Sequence, residues 1–340
     1  MDLSIIVCCY SGQETIKACI TSLCMQNYDK KKYDIIIVDD GSQDNTSKII
    51  NDFIENRKEV FPKINYIRKQ NEGLSIARNC GLHKSSANYI SYIDEDAKAD
   101  SNFVSEVIST FKSKTEINCI GGIVELWNTK DSFAELYHYS IFNFLMFEHK
   151  SIIGTNMSFK KDFLESVGGF QKEFDKRGDE TALFMKAGKS LKKMISDKII
   201  VNHKQPNNEK HFIRTRSDSG HYAMLVLLMN AHNNNIAKAL IFVRVLSYVL
   251  LLVSPFLALI FLFFNIELSV FFSLLYIIFF FHRYILQKGL VGPIQYLLRA
   301  PVKFNFKDIY KLICIVKKGY RKTDYAFIKA YFTKFNYKWN

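Results

Sequence analysis

With 340 residues, the chain is long enough for a catalytic domain with a large core and something smaller beside it. Its 46 Lys/Arg against 33 Asp/Glu give a net charge of +13, but residues 287–340 hold twelve Lys/Arg and two Asp, a local +10, which leaves +3 for everything before them. That placement argues against nucleic acid as a partner of the folded part. The seven cysteines form no C-x-x-C pair and read as small buried apolar residues in a reducing compartment.

Leu3 to Cys8 is a strand-like run that breaks at Tyr10-Ser11-Gly12. Met1-Asp2 supplies no basic n-region before it, so no secretory signal is expected and the catalytic part is placed in the cytosol. Tyr33 to Val38 is a second strand, ending in Asp39-Asp40-Gly41-Ser42-Gln43-Asp44, and Arg78-Asn79 lies on the helical stretch that follows. Tyr89 to Ile93 is a third, and it delivers Asp94 and Asp96, at i and i+2, to its own carboxyl end. Three apolar runs, each followed by a turn and a helix-period segment, predict an α/β domain. Its mostly parallel sheet should bind ligand outside the carboxyl ends of the strands. The Asp94–Asp96 pair offers hard oxygen ligands suited to Mg²⁺ or Mn²⁺. With a divalent cation between them, two carboxylates hold a diphosphate that they would otherwise repel. An isolated pair of this kind reads better as an acidic turn; the second acidic strand end at Asp39-Asp40 favours the site.

Further on, Phe133 to Phe147 is aromatic-rich around Glu135 and His138, and Gly154-Thr155-Asn156 precedes another apolar run. Asp179-Glu180 stands where a helix begins near Thr181, a place where acids also serve as simple caps. Ile199 to His203 is a further strand, and its terminal His203 either reaches a metal or diphosphate or is a satisfied surface or core residue.

Val245 to Phe264 carries no charge over about 20 residues, the length of a membrane-crossing helix. Pro255 inside it is tolerable in lipid. Leu268 to Phe281, with His282 to Leu286 as its flank, makes a second span, so the pair reads as a hairpin. Arg244 and Arg283 put both its ends on the cytoplasmic side. A buried hairpin in a soluble core is the competing reading. In the tail, Ile309, Leu312, Ile313 and Val316 recur at helical spacing beside Lys311, Lys317 and Lys318, and aromatics from Tyr320 to Trp339 interleave with Lys and Arg. Such a segment lies in the headgroup layer of anionic membrane lipids. The alternative is a groove for single-stranded nucleic acid, but lipid is the nearer partner after a membrane hairpin.

The segments SIIVCCYSGQETIKACITSL, YDIIIVDDGSQDNT, NEGLSIARNCGLHKSSANYISYIDEDA, GTNMSFKKDFLESVGGFQKEF and RGDETALFMKAGKS cover most of residues 1–205. In order and spacing the chain resembles the family 2 type of inverting nucleotide-sugar glycosyltransferases, which have the GT-A fold. It departs from that pattern at Cys9 (usually Pro), Ser11 (usually Asn), Ala97 (often acidic) and the reversed pair Asp179-Glu180. The resemblance implies Asp96 as the more direct metal ligand with Asp94 beside it, and Asp39 at the nucleobase with Asp40 as neighbour. It places Arg78 near the donor phosphates, where it alternatively pairs with Glu72 or a strand-end carboxylate, and Asn156 at the sugar. Tyr10 falls at the first strand's end as either base packing or a core aromatic. The base is Glu180 by position, with Asp179 as the alternative. Phe133 to Phe147 falls where the family shapes its acceptor pocket, and is otherwise a core helix. His211 to Arg216 resembles the basic helix that leads to the membrane in non-processive relatives.

The expected organisation is a GT-A catalytic domain at 1–215, a helical connector at 216–238, two transmembrane helices at 239–286 and a basic aromatic tail at 287–340. The Gln-x-x-Arg-Trp motif of processive synthases is absent. The expected function is transfer of a single sugar, with inversion, from a nucleotide-diphosphate donor to an acceptor at the cytoplasmic membrane face. A lipid-linked glycan intermediate is the expected acceptor. A polyprenyl-phosphate sugar synthase and a catalytically silent scaffold of the same fold are the alternatives.

Overall fold

The computed structural model describes residues 1–56, 62–143, 146–147, 151–231, 234–281, 293–295, 299–300 and 306–334. They fall into two units: residues 1–130 with 146–205, and residues 131–145 with 206–340.

In the first unit the order is β1 (Leu3–Cys9), α1 (Ile16–Cys24), β2 (Tyr33–Asp39), α2 (Thr46–Glu55), β3 (Lys63–Arg68), α3 (Leu74–Lys84), β4 (Tyr89–Asp94) and β5 (Ala97–Ala99). Then come α4 (Phe103–Ser113), β6 (Cys119–Leu126), β7 (Met157–Lys160), α6 (Lys161–Ser166), α7 (Asp179–Ala187) and β8 (Lys193–His203). Every residue of β1 and β2 is buried, as near-continuous apolar runs demand when helices cover both faces. Alternation sorts the side chains: Leu3, Ile5, Val7 and Cys9 pack toward α1 and α4, whereas Ile6 and Cys8 pack toward α3, α6 and α7. Cys8, Cys9, Cys19, Cys24 and Cys119 are buried.

One eight-stranded sheet runs in the order β3-β2-β1-β4-β7-β6-β8-β5. The β3-β2-β1-β4 half is parallel, and β7 lies antiparallel between β4 and β6. Chain order reverses across β1, which opens the crevice typical of such sheets at the carboxyl ends of β1, β2 and β4. Register makes the geometry specific. Cys9 pairs with Asp39 and Cys8 with Asp94, so the two acidic strand ends flank the end of β1. At the far edge Ala97 of β5 pairs with His203 of β8.

The second unit begins with α5 (Ser132–Tyr137), capped by Asp131, and a π-helical turn at His138–Phe142. It continues with α8 (Glu209–Asn230), α9 (Asn235–Phe261), α10 (Ile266–Phe281) and α11 (Phe306–Lys334). Helices α8 and α11 run parallel at close range. Phe212 meets Gly319, and a Cβ on Gly220 would collide with the backbone carbonyl of Thr323. Met224, Leu228, Ile241, Val245, Tyr248, Phe327 and Tyr331 form their shared core with α9.

α9 starts at Asn235, because the Asn234 side chain accepts the Ala237 N–H and caps it there. It is the one described helix long and apolar enough to cross a bilayer. The second expected span is described over the 16 residues of α10, about 24 Å of helix, short of the roughly 30 Å hydrocarbon core. Residues 282–286, with Arg283, lie outside the described residues, as do Phe335, Tyr337 and Trp339 of the tail. The two helices pack against each other. Ser269 Oγ donates to the Ala258 carbonyl at 2.8 Å, and Phe261 stacks on Phe272.

Candidate active site

The β5–β8 ladder brings His203 from more than a hundred residues downstream to the end of β4. Ligand atoms of Asp94, Asp96 and His203 lie within 4.8 Å of one another. His203 Nε2 stands 3.1 Å from Asp96 Oδ1, and Lys204 N–H donates to the Asp96 carbonyl at 2.9 Å. Burial alone would lower the His203 pKa, but the Asp96 charge and hydrogen bond raise it. Burial likewise works to raise Asp96, and His203 outweighs it to hold the carboxyl low. Asp94 is raised by burial, against the opposing pull of Arg78. Among the described residues, buried His203 Nδ1 has no hydrogen-bond partner. Two carboxylates and an imidazole with an unused nitrogen form a donor set that fits a divalent cation.

Arg78 ties this cluster to a second one. It projects from α3 into the core, where it is 2 % exposed. Its Nη1 donates to Asp179 Oδ2, and its Nη2 lies 3.4 Å from Asp94 Oδ1 and 3.3 Å from the Gly154 carbonyl. The guanidinium also lies over the rings of Tyr92 and Phe170, at 5.7 and 5.5 Å. Burial opposes its charge, yet Asp179 and Asp94 together raise its pKa. Arg78 is thus a buried bridge between the β4 carboxylate and the start of α7. Asn79 beside it holds the loop at Phe170 through two bonds, at 2.7 and 2.9 Å.

At the start of α7, Gly178 takes a left-handed conformation (φ 76°) that directs the chain into the helix and that a Cβ would strain. Asp179 follows, 1 % exposed and committed to Arg78. Glu180 is half-buried, and burial, then the Asp179 charge, push its pKa up to about 8. The reversed acidic pair therefore holds two unlike carboxylates: one locked in an ion pair, the other half-buried and more basic than an ordinary carboxylate.

The remaining expected residues sit nearby with different duties. Tyr10 is 49 % exposed at the end of β1, followed by Ser11 at φ 60°. Asp39 is fully buried and accepts from Ser42 N–H (2.8 Å), Ser47 Oγ (2.6 Å) and Tyr66 OH (2.9 Å). These bonds keep its pKa low against burial. Asp40 accepts from the Glu72 and Gly73 amides and from Lys69. Both carboxylates thereby fasten the loops around the end of β2. Asn156 Nδ2 donates to the Ile123 and Ile199 carbonyls, at 2.9 and 3.2 Å. That staples β6 to β8 where their register shifts between Gly122 and Ile123.

Sequence reasoning did not single out Trp127 and Lys98. Trp127 N–H donates to the His203 carbonyl at 3.0 Å, and Lys98 Nζ stands 4.4 Å from the Trp127 ring centre. No spacing signal marks this pair, because the β5–β8 and β6–β8 pairings create it. The aromatic-rich Phe133 to Phe142 segment belongs to the second unit, where Tyr137 packs edge-on to Phe212 at 5.5 Å and Lys311 lies over Phe133.

Residues 4–168 match the family description "Glycosyl transferase family 2". The glucosyl-dolichyl phosphate glucuronosyltransferase of Haloferax volcanii is 24 % identical over 232 residues, covering 64 % of this chain and 72 % of that protein. Glycosyltransferase AglE of the same organism is 29 % identical over 183 residues, covering 52 % of this chain and 58 % of AglE, less than two thirds of its length. Among solved structures, the mannosyltransferase PcManGT from Pyrobaculum calidifontis, in complex with GDP-Man and Mn²⁺, matches with a TM-score of 0.57 at 12 % identity, covering 98 % of this chain and 87 % of that one. Residues 1–349 of S. aureus TarS, in complex with UDP-GlcNAc, match with a TM-score of 0.51 at 11 % identity, covering 100 % and 94 %. At such identities the structures speak for the fold alone. Sheet order, family match and relatives converge on the first unit: residues 4–168 form a glycosyl transferase family 2 domain, and its sheet has the GT-A fold.

Proposed function

We propose that the chain moves one sugar, with inversion, from a nucleotide-diphosphate sugar to a lipid-linked glycan acceptor at the cytoplasmic face of a membrane. The observation that carries this reading is the continuous line Asp96–His203, Asp94, Arg78, Asp179, Glu180 along the carboxyl edge of the sheet. It puts a metal-type donor set and a basic carboxylate on one rigid frame.

Asp94, Asp96 and His203 would hold Mg²⁺ or Mn²⁺, whose role is to neutralise the diphosphate as it leaves. Tyr10 offers its ring to the nucleobase from the end of β1, and Asp39 and Asp40 act by fixing the loops beneath it. Arg78 pairs with Asp94 and Asp179 and holds them in place. Asn156 holds the strands that frame the Gly154 loop. Glu180 takes the acceptor hydroxyl proton as its oxygen bonds to the anomeric carbon and the bond to the diphosphate breaks. A carboxylate whose pKa stands near 8 is a better proton acceptor than an ordinary one, provided the pH ionises it. The exposed apolar sides of α9 and α10 support a membrane anchor. The dolichyl-phosphate-linked relative supports a lipid-linked acceptor.

The test is calorimetry of the detergent-purified protein against a panel of nucleotide sugars with and without Mn²⁺, followed by mass spectrometry of products on membrane lipid extracts. Metal-dependent binding of a donor and a lipid-linked glycan longer by one sugar are expected. An acid-labile sugar monophosphate as sole product would reassign the acceptor to a polyprenyl phosphate. Absence of metal-dependent donor binding across the panel would reject the transferase reading.

A further inference from the structure

Helix α11 is amphipathic in a way that its sequence alone does not resolve. Its apolar side is spent inside the protein: Leu312, Ile315, Val316, Phe327 and Tyr331 are buried, the last two against Met224 of α8 and Tyr248 of α9. The helix therefore has no apolar face left to sink into a bilayer. At 3.6 residues per turn, the exposed residues form one strip along its outer side. Lys307, Lys311, Lys317, Arg321, Lys322 and Lys329 lie on it, all exposed. Lys318 lies there too and pairs with Glu209 at 2.7 Å. Among these cations stand Tyr310 (70 % exposed), Tyr325 (60 %) and Phe332 (70 %). Of the two acids of α11, Asp324 is buried and Asp308 is half-buried at the strip's edge.

The position of α11 against the hairpin selects the partner. It touches the first half of α9, with Tyr248, at the helix's middle, edge-on to Phe327 at 5.3 Å and Phe242 beside Tyr331 at 6.5 Å. It touches α10 near the end of its described length, where Lys317 Nζ lies 5.6 Å from the Phe280 ring centre. Both contacts lie toward the open end of the hairpin, away from the turn at 262–265. That is where a membrane-inserted hairpin meets headgroups. A cationic strip with exposed aromatic rings at that level faces phosphates, and aromatic rings settle at this depth.

We propose that the outer face of α11 adsorbs to anionic headgroups by charge, with its three aromatic side chains as shallow contacts, as an attachment separate from the hairpin. The proposal rests on the membrane-anchor part of the functional reading and not on the sugar transferred. Adsorption by charge is salt-reversible, whereas insertion of an apolar face is not. Each cation near an anionic surface contributes roughly fivefold in partitioning.

The test uses the full chain in lipid nanodiscs with Tyr325→Trp as reporter, the parent chain supplying the background of its own tryptophans. In discs with about 30 % anionic lipid, headgroup spin labels should quench the added Trp. About 0.5 M NaCl should relieve that quenching. So should the triple variant Arg321→Gln/Lys322→Gln/Lys329→Gln, whose substituted side chains are exposed and whose thermal melting should match the parent. Equal quenching in purely zwitterionic discs, or quenching indifferent to salt and to the triple variant, overturns the proposal. Displacement of the Trp from anionic discs by a single-stranded oligonucleotide at equal phosphate concentration overturns it in favour of nucleic acid. Protein that stays soluble without detergent or discs sinks the anchor reading instead, so the two failures are distinguishable.

Discussion

A carboxyl raised to about 8 by burial and by the Asp179 charge holds its proton through the neutral range. The initial-rate profile should therefore climb with pH through a limb near 8 and flatten above it. In Glu180→Gln, donor binding with metal should persist while kcat falls by about 10² or more. The same shift has a stability consequence. Between the ordinary Glu value of 4.5 and about 8 the folded protein binds more protons at this site than the unfolded chain. The site's contribution is thus full below 4.5 and lost as pH rises through 8. Glu180→Gln should melt above the parent at pH 9 and show no such gain at pH 4, by differential scanning fluorimetry. Asp179→Asn should behave oppositely. Removing the partner of a buried guanidinium costs about 3–5 kcal/mol, so this variant should show a lowered Tm at neutral pH. A kcat loss in Asp179→Asn larger than in Glu180→Gln, at unchanged Tm, would transfer the base to Asp179. Ser11 is the one non-glycine residue with positive φ among those described. Left-handed backbone costs most residues about 1–2 kcal/mol and Asn less, so Ser11→Asn should raise stability by about 1 kcal/mol, read from denaturant midpoints.

At the scale of elements, two pairings decide what the acidic motifs become. The β5–β8 ladder makes His203 a neighbour of Asp96. His203→Ala should then weaken Mn²⁺ binding on the order of tenfold or more, while Asp96→Asn should abolish metal-dependent turnover. Calorimetric titration with Mn²⁺ separates these outcomes, and unchanged affinity in His203→Ala would remove the imidazole from the donor set. The α8–α11 crossing leaves no room at Gly220. Gly220→Ala should cost about 1–3 kcal/mol through forced separation of the helices and should leave donor binding intact. These residues were partly legible in the sequence. Strand ends at Asp39 and Asp94 follow from apolar runs that stop at acids, and β1, β2 and β4 were each expected within one residue of their observed ends. Arg78 was legible as a phosphate ligand or as the partner of a strand-end carboxylate, and in the structure it pairs with Asp94 and with Asp179. Which of these obtains depends on Asp179, a hundred residues away, and on the rings of Tyr92 and Phe170.

For the whole molecule, the segment 131–145 leaves the sheet between β6 and β7 and joins the helical unit. Phe133, Leu136, Ile141 and Phe142 are buried there. A chain cut after Gln205 should therefore expose these side chains and aggregate rather than yield a compact catalytic domain. Light scattering of the truncated protein checks this, and a monodisperse soluble fragment with the parent's donor affinity would contradict it. The full chain, in contrast, should require detergent or lipid because of the exposed apolar surface of α9 and α10.

By itself the sequence determined the α/β class, the acidic carboxyl ends, the apolar helices and the basic tail, because each of these is written in local periodicity, composition or adjacency. It also carried the family pattern through five ordered motifs. Only the tertiary structure decided that Asp39 and Asp40 fasten loops, that Asp179 is paired with Arg78 while the Glu180 carboxyl is raised, and that α11 turns its charged side outward. Those outcomes depend on which side chains burial brings together. The energy of a buried charge is set by partners that are distant in the chain and close in space.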